Sequence, residues 1–331
     1  MANSGIIIFG ELGAGRLSSI TLELLGAGRK LADALGQELA AIFLGHPVDP
    51  VVREAIAFGA DKVYTIDNPA LQEYLTEPSV AALEAACRQL SPEVLLLGQT
   101  AVGRDMAPRL AFRLGTGLAM DCVHLEVQAD SRLLVATRPV YGGNALAEMT
   151  CPSARPQMAT VRAKSQEALP RDDSRTGEVI PLSVSLPSSR SRLVERVRQE
   201  AAGVKLEDAE IIIAGGRGIG SAEGFQTLEE LARLLSGAVG TTRAAVDANW
   251  RPSSDQIGLT GKIVAPTLYV AIAISGASQH LAGCSGSKNI VAINKDPDAN
   301  IFKAAQYGVV GDYRKVLPAF LNKVKELLET S

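Results

Sequence analysis

The side chains best suited to chemistry gather in the last third of the chain. A glycine-rich turn, GGRGIG, fills residues 215–220 directly after an apolar run at 210–214. Glycines before a helix bare backbone N–H groups that favour an anion, and Arg217 adds a cation beside them. The spacing departs from the dinucleotide fingerprint. Gly216 and Gly218 supply G-x-G, but the third glycine position holds Ser221. A phosphate contact and a purely structural turn both fit this pattern. Farther on, Thr242-Arg243, Gly258-Leu259-Thr260-Gly261 and the stretch from Ser275 to His280 set hydroxyl, guanidinium, amide and imidazole groups next to glycines. No GxSxG elbow and no GxxxxGK[ST] loop occurs, and no acid is implicated in orienting His280, so neither a hydrolase triad nor a phosphate-loop enzyme is read here. The histidines, at 46, 124 and 280, lie far apart, as do the cysteines, at 87, 122, 151 and 284. They form no CxxC pair and no metal-ligand spacing.

The elements that must hold these groups read as alternating strands and helices. Apolar runs at 5–10, 38–44, 62–66 and 93–97 are separated by helical periods at 18–35, 49–58 and 79–90. Ser18 or Ser19 caps the first helix and Gly36 stops it. This alternation is the signature of a parallel sheet. Residues 120–127 and 132–138 read as antiparallel additions, Gly142-Gly143-Asn144 as a turn, and 157–161 as a further strand. Residues 165–191 hold three prolines and many serines, and read as an exposed crossover or linker. The alternation then resumes. Strands are expected at 210–214, 263–266, 268–274, 290–294 and 308–310, with a strand or strand end at 240–246. Helices are expected at 222–235, 278–282 and 317–328, the last turning Phe320, Val324, Leu327 and Leu328 inward.

The chain has 331 residues, enough for two domains at roughly 100–200 residues each. The fold class is therefore α/β with two domains: an N-terminal α/β domain with its linker at 1–190, and a C-terminal parallel-sheet domain at 191–331. The totals of 33 basic and 36 acidic residues give a net charge of -3, which argues against a broadly basic nucleic-acid surface. The opening MANSGIIIFG lacks a basic region ahead of a long apolar stretch. The richest apolar window, 263–273, is short for a membrane span and contains Pro266. These features read as a soluble chain of a reducing compartment, with the bacterial cytoplasm favoured.

Several motifs recur together in a fixed order. They are RPVYGGNA at 138–145, RPQMATVR at 155–162, TTRAAVDA at 241–248, GLTGKIVAP at 258–266, ISGASQHLAG at 274–283, INKDPDANIF at 293–302 and YGVVGD at 307–312. Over nearly its full length the chain resembles the alpha subunit of electron transfer flavoprotein. The resemblance implies a C-terminal domain that binds FAD, a beta subunit packed against the chain, and electron transfer from acyl-CoA dehydrogenases or related enzymes to a quinone oxidoreductase or another redox acceptor. It implies a redox carrier with no nucleic-acid partner.

It also implies particular neighbours for the flavin. Arg243 lies across the isoalloxazine and favours gain of an electron. Thr260 stands near N5, and His280 near O2, where its protonation or a donated hydrogen bond would favour reduced flavin. Arg217 and Thr242 match pyrophosphate positions, and Asn294 and Asp312 match adenosine-side positions. Ser275 and Gln279 are hydrogen-bond partners, while Ile257, Gly258, Leu259, Gly276, Ala277, Ser278 and Tyr313 complete the binding set. The plain structural alternatives are a sheet-edge arginine, a turn threonine, a core histidine and two helix or loop caps. Three positions depart from the family: Thr242 stands for a common Ser, Leu259 for Gln and Ser278 for Ile. The segment TLELLGAGRKLADALG at 21–36 and RPQMATVR resemble anaerobic members. They keep open the alternative of an NADH-dependent, electron-bifurcating complex with a second FAD on the beta subunit, in place of the AMP of ordinary members.

Overall fold

The computed structural model describes residues 3–13, 15–128, 130–143, 145–195 and 204–329. The chain divides into two compact units, 1–197 and 198–331.

The first unit is built on a seven-stranded parallel sheet. Its order is Glu178–Pro181, Lys62–Asp67, Leu39–Gly45, Ile6–Phe9, Val94–Gly98, Gln157–Val161 and Leu118–Cys122. The central strands read IIIF, LAAIFLG and VLLLG because both of their faces are covered. One face packs under the helix Ser19–Leu35, and the other under Thr76–Leu90 and Ala101–Leu114. The helix Ser19–Leu35 begins where Ser18 accepts from Thr21 N and ends at Gly36 in the left-handed region, φ 62°. A three-stranded antiparallel sheet, in the order Ala145–Met149, Leu134–Val140 and His124–Val127, completes the unit. The expected turn at 142–144 begins as a single 3-10 turn, Tyr141–Gly143; Asn144 lies outside the described residues.

Several sequence expectations need correction. Residues 120–127 are not one antiparallel strand. Leu118–Cys122 joins the large sheet in parallel, and His124–Val127 belongs to the antiparallel one. The break falls at Val123, two residues after Asp121, whose positive φ of 63° distorts the end of the parallel strand and whose carboxylate pairs with Arg162 at 2.6 Å. Residues 101–114 form a helix in spite of Pro108, with the Thr100 hydroxyl accepting from Gly103 N and Gly115 closing the far end. Within that helix Asp105 accepts from the Tyr74 and Thr76 hydroxyls and faces Arg109 at 3.5 Å, a polar network inside one unit. The stretch 165–191 is not a free linker. It supplies the edge strand Glu178–Pro181 and buries Leu182. Residues 240–246 split into the end of the strand Ala238–Thr241 and the helix Arg243–Asp247, and 263–266 form no strand.

The second unit carries a five-stranded, all-parallel sheet in the order Ala238–Thr241, Ile211–Gly215, Leu268–Ile272, Asn289–Asn294 and Tyr307–Val310. Helices Phe225–Leu234 and Tyr313–Glu329 pack on one face through Phe225, Leu228, Leu317 and Leu321. On the terminal helix Leu327 and Leu328 are exposed, contrary to the expected inward face; the buried stripe ends with Leu321 and the half-buried Val324. Numbered within the unit, the strand order is 2-1-3-4-5. The chain reverses its direction of build between the first strand, Ile211–Gly215, and the third, Leu268–Ile272. In open sheets of this kind a crevice forms at the carboxyl ends of the strands flanking that reversal. Among the described residues no helix is long and apolar enough to cross a membrane.

Candidate functional site

The crevice is present as a cavity of about 740 Å³, within the ~300–1,000 Å³ range of small-molecule and cofactor sites. Each strand that borders it contributes the residues following its carboxyl end. After Ile211–Gly215 come Gly216, Arg217 and Gly218. Gly216 has no room for a side chain, because a Cβ there would stand 2.2 Å from the Ala273 carbonyl oxygen. The loops after the first and third strands therefore meet backbone to backbone at Gly216, and Arg217 is left exposed beside the cavity.

After Ala238–Thr241 come Thr242 and Arg243. Thr242 occupies the N-cap position of the helix Arg243–Asp247 but makes no capping bond. Its hydroxyl oxygen is buried and has no hydrogen-bond partner among the described residues. A buried, unpaired hydroxyl costs roughly 1–3 kcal/mol, and this residue borders the cavity. Arg243 projects outward with its side chain 70 % exposed, 3.5 Å from Asp247, which also lines the cavity.

The loop carrying Gly258-Leu259-Thr260-Gly261 closes the next side. Ile257 bridges Lys262, Gly258 adopts φ 146°, and a Cβ on Gly261 would fall 2.4 Å from the Gln256 carbonyl oxygen. This tight turn presents Ile257, Gly258, Leu259 and Thr260 to the cavity. Gln256 Nε2 donates to Thr260 Oγ1 at 3.0 Å, which leaves the threonine O–H free to donate elsewhere. Leu259 is 58 % exposed. Lys262 turns away to Glu207 at 2.8 Å and takes no place in the lining.

After Leu268–Ile272 the chain turns at Ala273, φ 53°, and runs through Ser275 and Ala277 into the helix Ser278–Cys284. Ser275, Ala277, Gln279 and His280 line the cavity; Gly276 and Ser278, both expected in the binding set, do not. A Cβ on Gly276 would lie 2.1 Å from Ile301 N, so this glycine serves loop packing. Ser278 bonds Gln279 Oε1 instead. His280 is buried, and both ring nitrogens are engaged: Nδ1 with the Ile257 carbonyl at 3.0 Å, and Nε2 with the Tyr269 hydroxyl at 2.9 Å. Burial lowers its pKa to about 4, so the ring is neutral near pH 7. The expectation of a ring N–H donated to a ligand does not match this arrangement.

Asn294 closes the fourth strand and borders the cavity with its amide already committed: Nδ2 donates to the Ile274 carbonyl at 2.8 Å, and Oδ1 accepts from Asp296 N. Asp312 and Tyr313 lie outside the main cavity, in an adjoining pocket of about 130 Å³ that shares Gly218, Ala273 and Asn294 with it. There Asp312 accepts from Arg314 N as a helix cap, and Tyr313 donates to the Ile219 carbonyl at 2.7 Å. Sequence reasoning missed Gln256, Asp247 and Asp296 as lining residues. Gln256 sits four positions before Thr260 in a loop, a spacing that carries no periodic signal.

The chain is similar to known proteins over nearly its whole length. Residues 6–187 match the electron transfer flavoprotein domain, and residues 205–285 match the electron transfer flavoprotein FAD-binding domain. The chain is 48% identical over 324 residues to the electron transfer flavoprotein subunit alpha of Thermoanaerobacterium thermosaccharolyticum, covering 97% of this chain and 98% of the relative. It is 47% identical to the subunit of the same name from Megasphaera elsdenii, covering 97% and 96%. It is 37% identical to the acryloyl-CoA reductase electron transfer subunit beta of Anaerotignum propionicum, covering 97% and 95%.

Proposed function

This chain belongs to the electron transfer flavoprotein family as an alpha subunit, and from that premise we propose that the crevice at 216–299 holds FAD and that the chain carries electrons while paired with a beta subunit. The observation that carries the reading is the unpaired Thr242 hydroxyl at a cavity built from the carboxyl ends of a 2-1-3-4-5 sheet. A phosphate oxygen supplies what that hydroxyl lacks.

The remaining donors fit the same group. Arg217 and the backbone around Gly216 and Gly218 offer positive potential for a pyrophosphate. Arg243, free to reach over the mouth, places a cation where electron gain by a flavin ring leaves negative charge. Thr260, with its oxygen held by Gln256, keeps a hydrogen to donate. Leu259 adds an apolar surface at the rim. FAD, when bound, supplies one- and two-electron redox chemistry; the protein binds it, orients it and sets the field around it. Asp312 and Tyr313 take the adenosine side only if the cofactor extends into the adjoining pocket. The donor is an acyl-CoA dehydrogenase or a related enzyme, the acceptor a quinone oxidoreductase or another redox protein, and the setting the bacterial cytoplasm. The relative named as an acryloyl-CoA reductase electron transfer subunit supports a coenzyme A-linked donor.

The test is co-expression with the beta subunit and measurement of flavin and nucleotide stoichiometry. One FAD per chain of this type, with a reversible visible spectrum, is the expected result. A colourless complex that takes up no added FAD overturns the reading. Two FAD per heterodimer with NADH oxidation identifies the bifurcating alternative.

A further inference from the structure

His280 forms part of the cavity wall, yet its polar atoms face protein. A backbone carbonyl only accepts, so the 3.0 Å contact with Ile257 requires the proton on Nδ1. In the neutral ring Nε2 then holds a lone pair, and the Tyr269 hydroxyl at 2.9 Å donates to it. Tyr269 sits on the third strand and is fully buried, with Cys284 against its hydroxyl. Tyr269 and His280 are joined across eleven positions by the strand and the helix that follows it.

We propose that Tyr269 is a positioning residue for this site: the Ile257 carbonyl sets the Nδ1–H tautomer of His280, and the Tyr269 hydroxyl occupies the Nε2 lone pair and holds the ring at the cavity wall with no N–H turned toward a ligand. The N–H and O–H donors offered to a bound group then come from Thr260, Thr242, Ser275, Gln279, Arg243, Arg217 and the backbone. A phenol both donates and accepts, so the same hydroxyl still holds the ring if Nε2 takes a proton from solvent. In that case it accepts from Nε2–H and turns its own hydrogen to Cys284 Sγ. The alternative partner, a ligand atom, is not needed to satisfy the imidazole. The inference about the tautomer stands without FAD; only its bearing on electron transfer rests on the function proposed above.

The chain has only 3 histidines, which makes the test direct. The full chain, co-expressed with its partner subunit and labelled with 15N-histidine, is measured by NMR with and without FAD, and the His280 signals are assigned by their loss in His280→Gln. The wild-type protein without FAD is expected to show a protonated Nδ1 and an unprotonated Nε2 in one tautomer, and to keep them when oxidised FAD is added. Tyr269→Phe removes only the hydroxyl. It is expected to leave the proton on Nδ1, held by the Ile257 carbonyl, and to move the Nε2 signal downfield, away from its hydrogen-bonded value. A wild-type signal with the proton on Nε2, a proton that moves to Nε2 on addition of oxidised FAD, or an Nε2 signal unchanged in folded Tyr269→Phe each overturns the proposal. The wild-type spectrum decides the point even if the variant does not fold. Absence of FAD binding contradicts the functional reading but leaves the FAD-free tautomer measurement intact.

Discussion

The Thr242 side chain sets stability against binding. Its methyl group and its hydroxyl are both buried or half-buried, and the oxygen lacks a partner among the described residues. Serine would keep the hydroxyl at this position; threonine keeps it and adds a methyl. Replacing Thr242 with Val removes the unsatisfied oxygen at nearly constant volume. The FAD-free chain is then expected to be as stable as the parent or more stable by up to ~1 kcal/mol, because a desolvated polar group disappears. FAD binding is expected to weaken by about 3- to 10-fold, the worth of one hydrogen bond of ~0.5–1.5 kcal/mol. Urea unfolding of the FAD-free chain and FAD titration measure the two effects. A loss of stability with unchanged affinity would show that the hydroxyl serves the chain and not the ligand.

At the scale of elements, the first helix shows how tertiary contact overrides local preference. Ser19–Leu35 contains Gly26 and Gly28, each of which weakens a helix by ~1 kcal/mol relative to Ala. Both positions are close approaches. A Cβ on Gly26 would lie 2.0 Å from the Glu167 carbonyl oxygen, and one on Gly28 would lie 2.6 Å from the Leu39 side chain. The segment crossing Gly26 is held by Glu23, one turn earlier, whose carboxylate accepts from the backbone of Lys164, Ser165 and Gln166 at 2.8, 3.1 and 3.3 Å. Burial of that carboxylate raises its pKa in spite of the three donors. Gly26→Ala is therefore expected to destabilise the chain by ~1–3 kcal/mol through overpacking against backbone, not to stabilise it by propensity. Denaturant midpoints of the parent and variant decide between these signs.

The same contacts explain which parts of the fold could be read from sequence. The central strands are buried on both faces, so they announce themselves as apolar runs, and Ser18 and Gly36 mark the first helix by their own chemistry. The strand Glu178–Pro181 hides among prolines and serines because an edge strand pairs on one side only and tolerates Pro181 there. The helix Ala101–Leu114 hides behind Arg104, Asp105 and Pro108, since its buried stripe is the short set Met106, Ala107, Leu110 and Ala111. In the site, linked motifs brought Arg217, Thr242, Thr260 and His280 to one cavity. What they could not give was the partner of each group. Gln256 beneath Thr260 and Tyr269 against His280 depend on loop closure and on helix-to-strand docking, which leave no periodic trace. Asp312 and Tyr313 were aligned to a ligand role that their cap and carbonyl bonds only partly leave open.

Across the whole molecule, acid acts with opposite sign on buried His280 in one unit and on buried Glu11 and Glu23 in the other. His280 belongs to the second unit; its folded pKa is lowered to about 4 by burial, below its ordinary value of 6.5. The unfolded chain binds the proton first, so the stability this residue contributes is complete above pH 6.5 and is lost as pH falls toward 4. At pH 5 the loss is about 2 kcal/mol, from 1.5 pH units at 1.36 kcal/mol each. In the first unit burial raises the pKa of Glu11 and Glu23 above 4.5. Their cost is absent below the unfolded value and grows as pH rises from there through the folded one, so acidification relieves it. The other histidines, His46 and His124, lie in the first unit with exposed side chains. The molecule carries 1 tryptophan, Trp250, in the second unit, so its fluorescence reports that unit alone. The Trp250 unfolding midpoint in urea is expected to drop between pH 7.5 and 5, and to drop less in His280→Gln. Hydrogen exchange in the strands Ile6–Phe9 and Val94–Gly98, which belong to the first unit, is not expected to accelerate over the same range. A Trp250 midpoint that stays constant, or that falls equally in the variant, would mean that His280 is not held neutral by its burial.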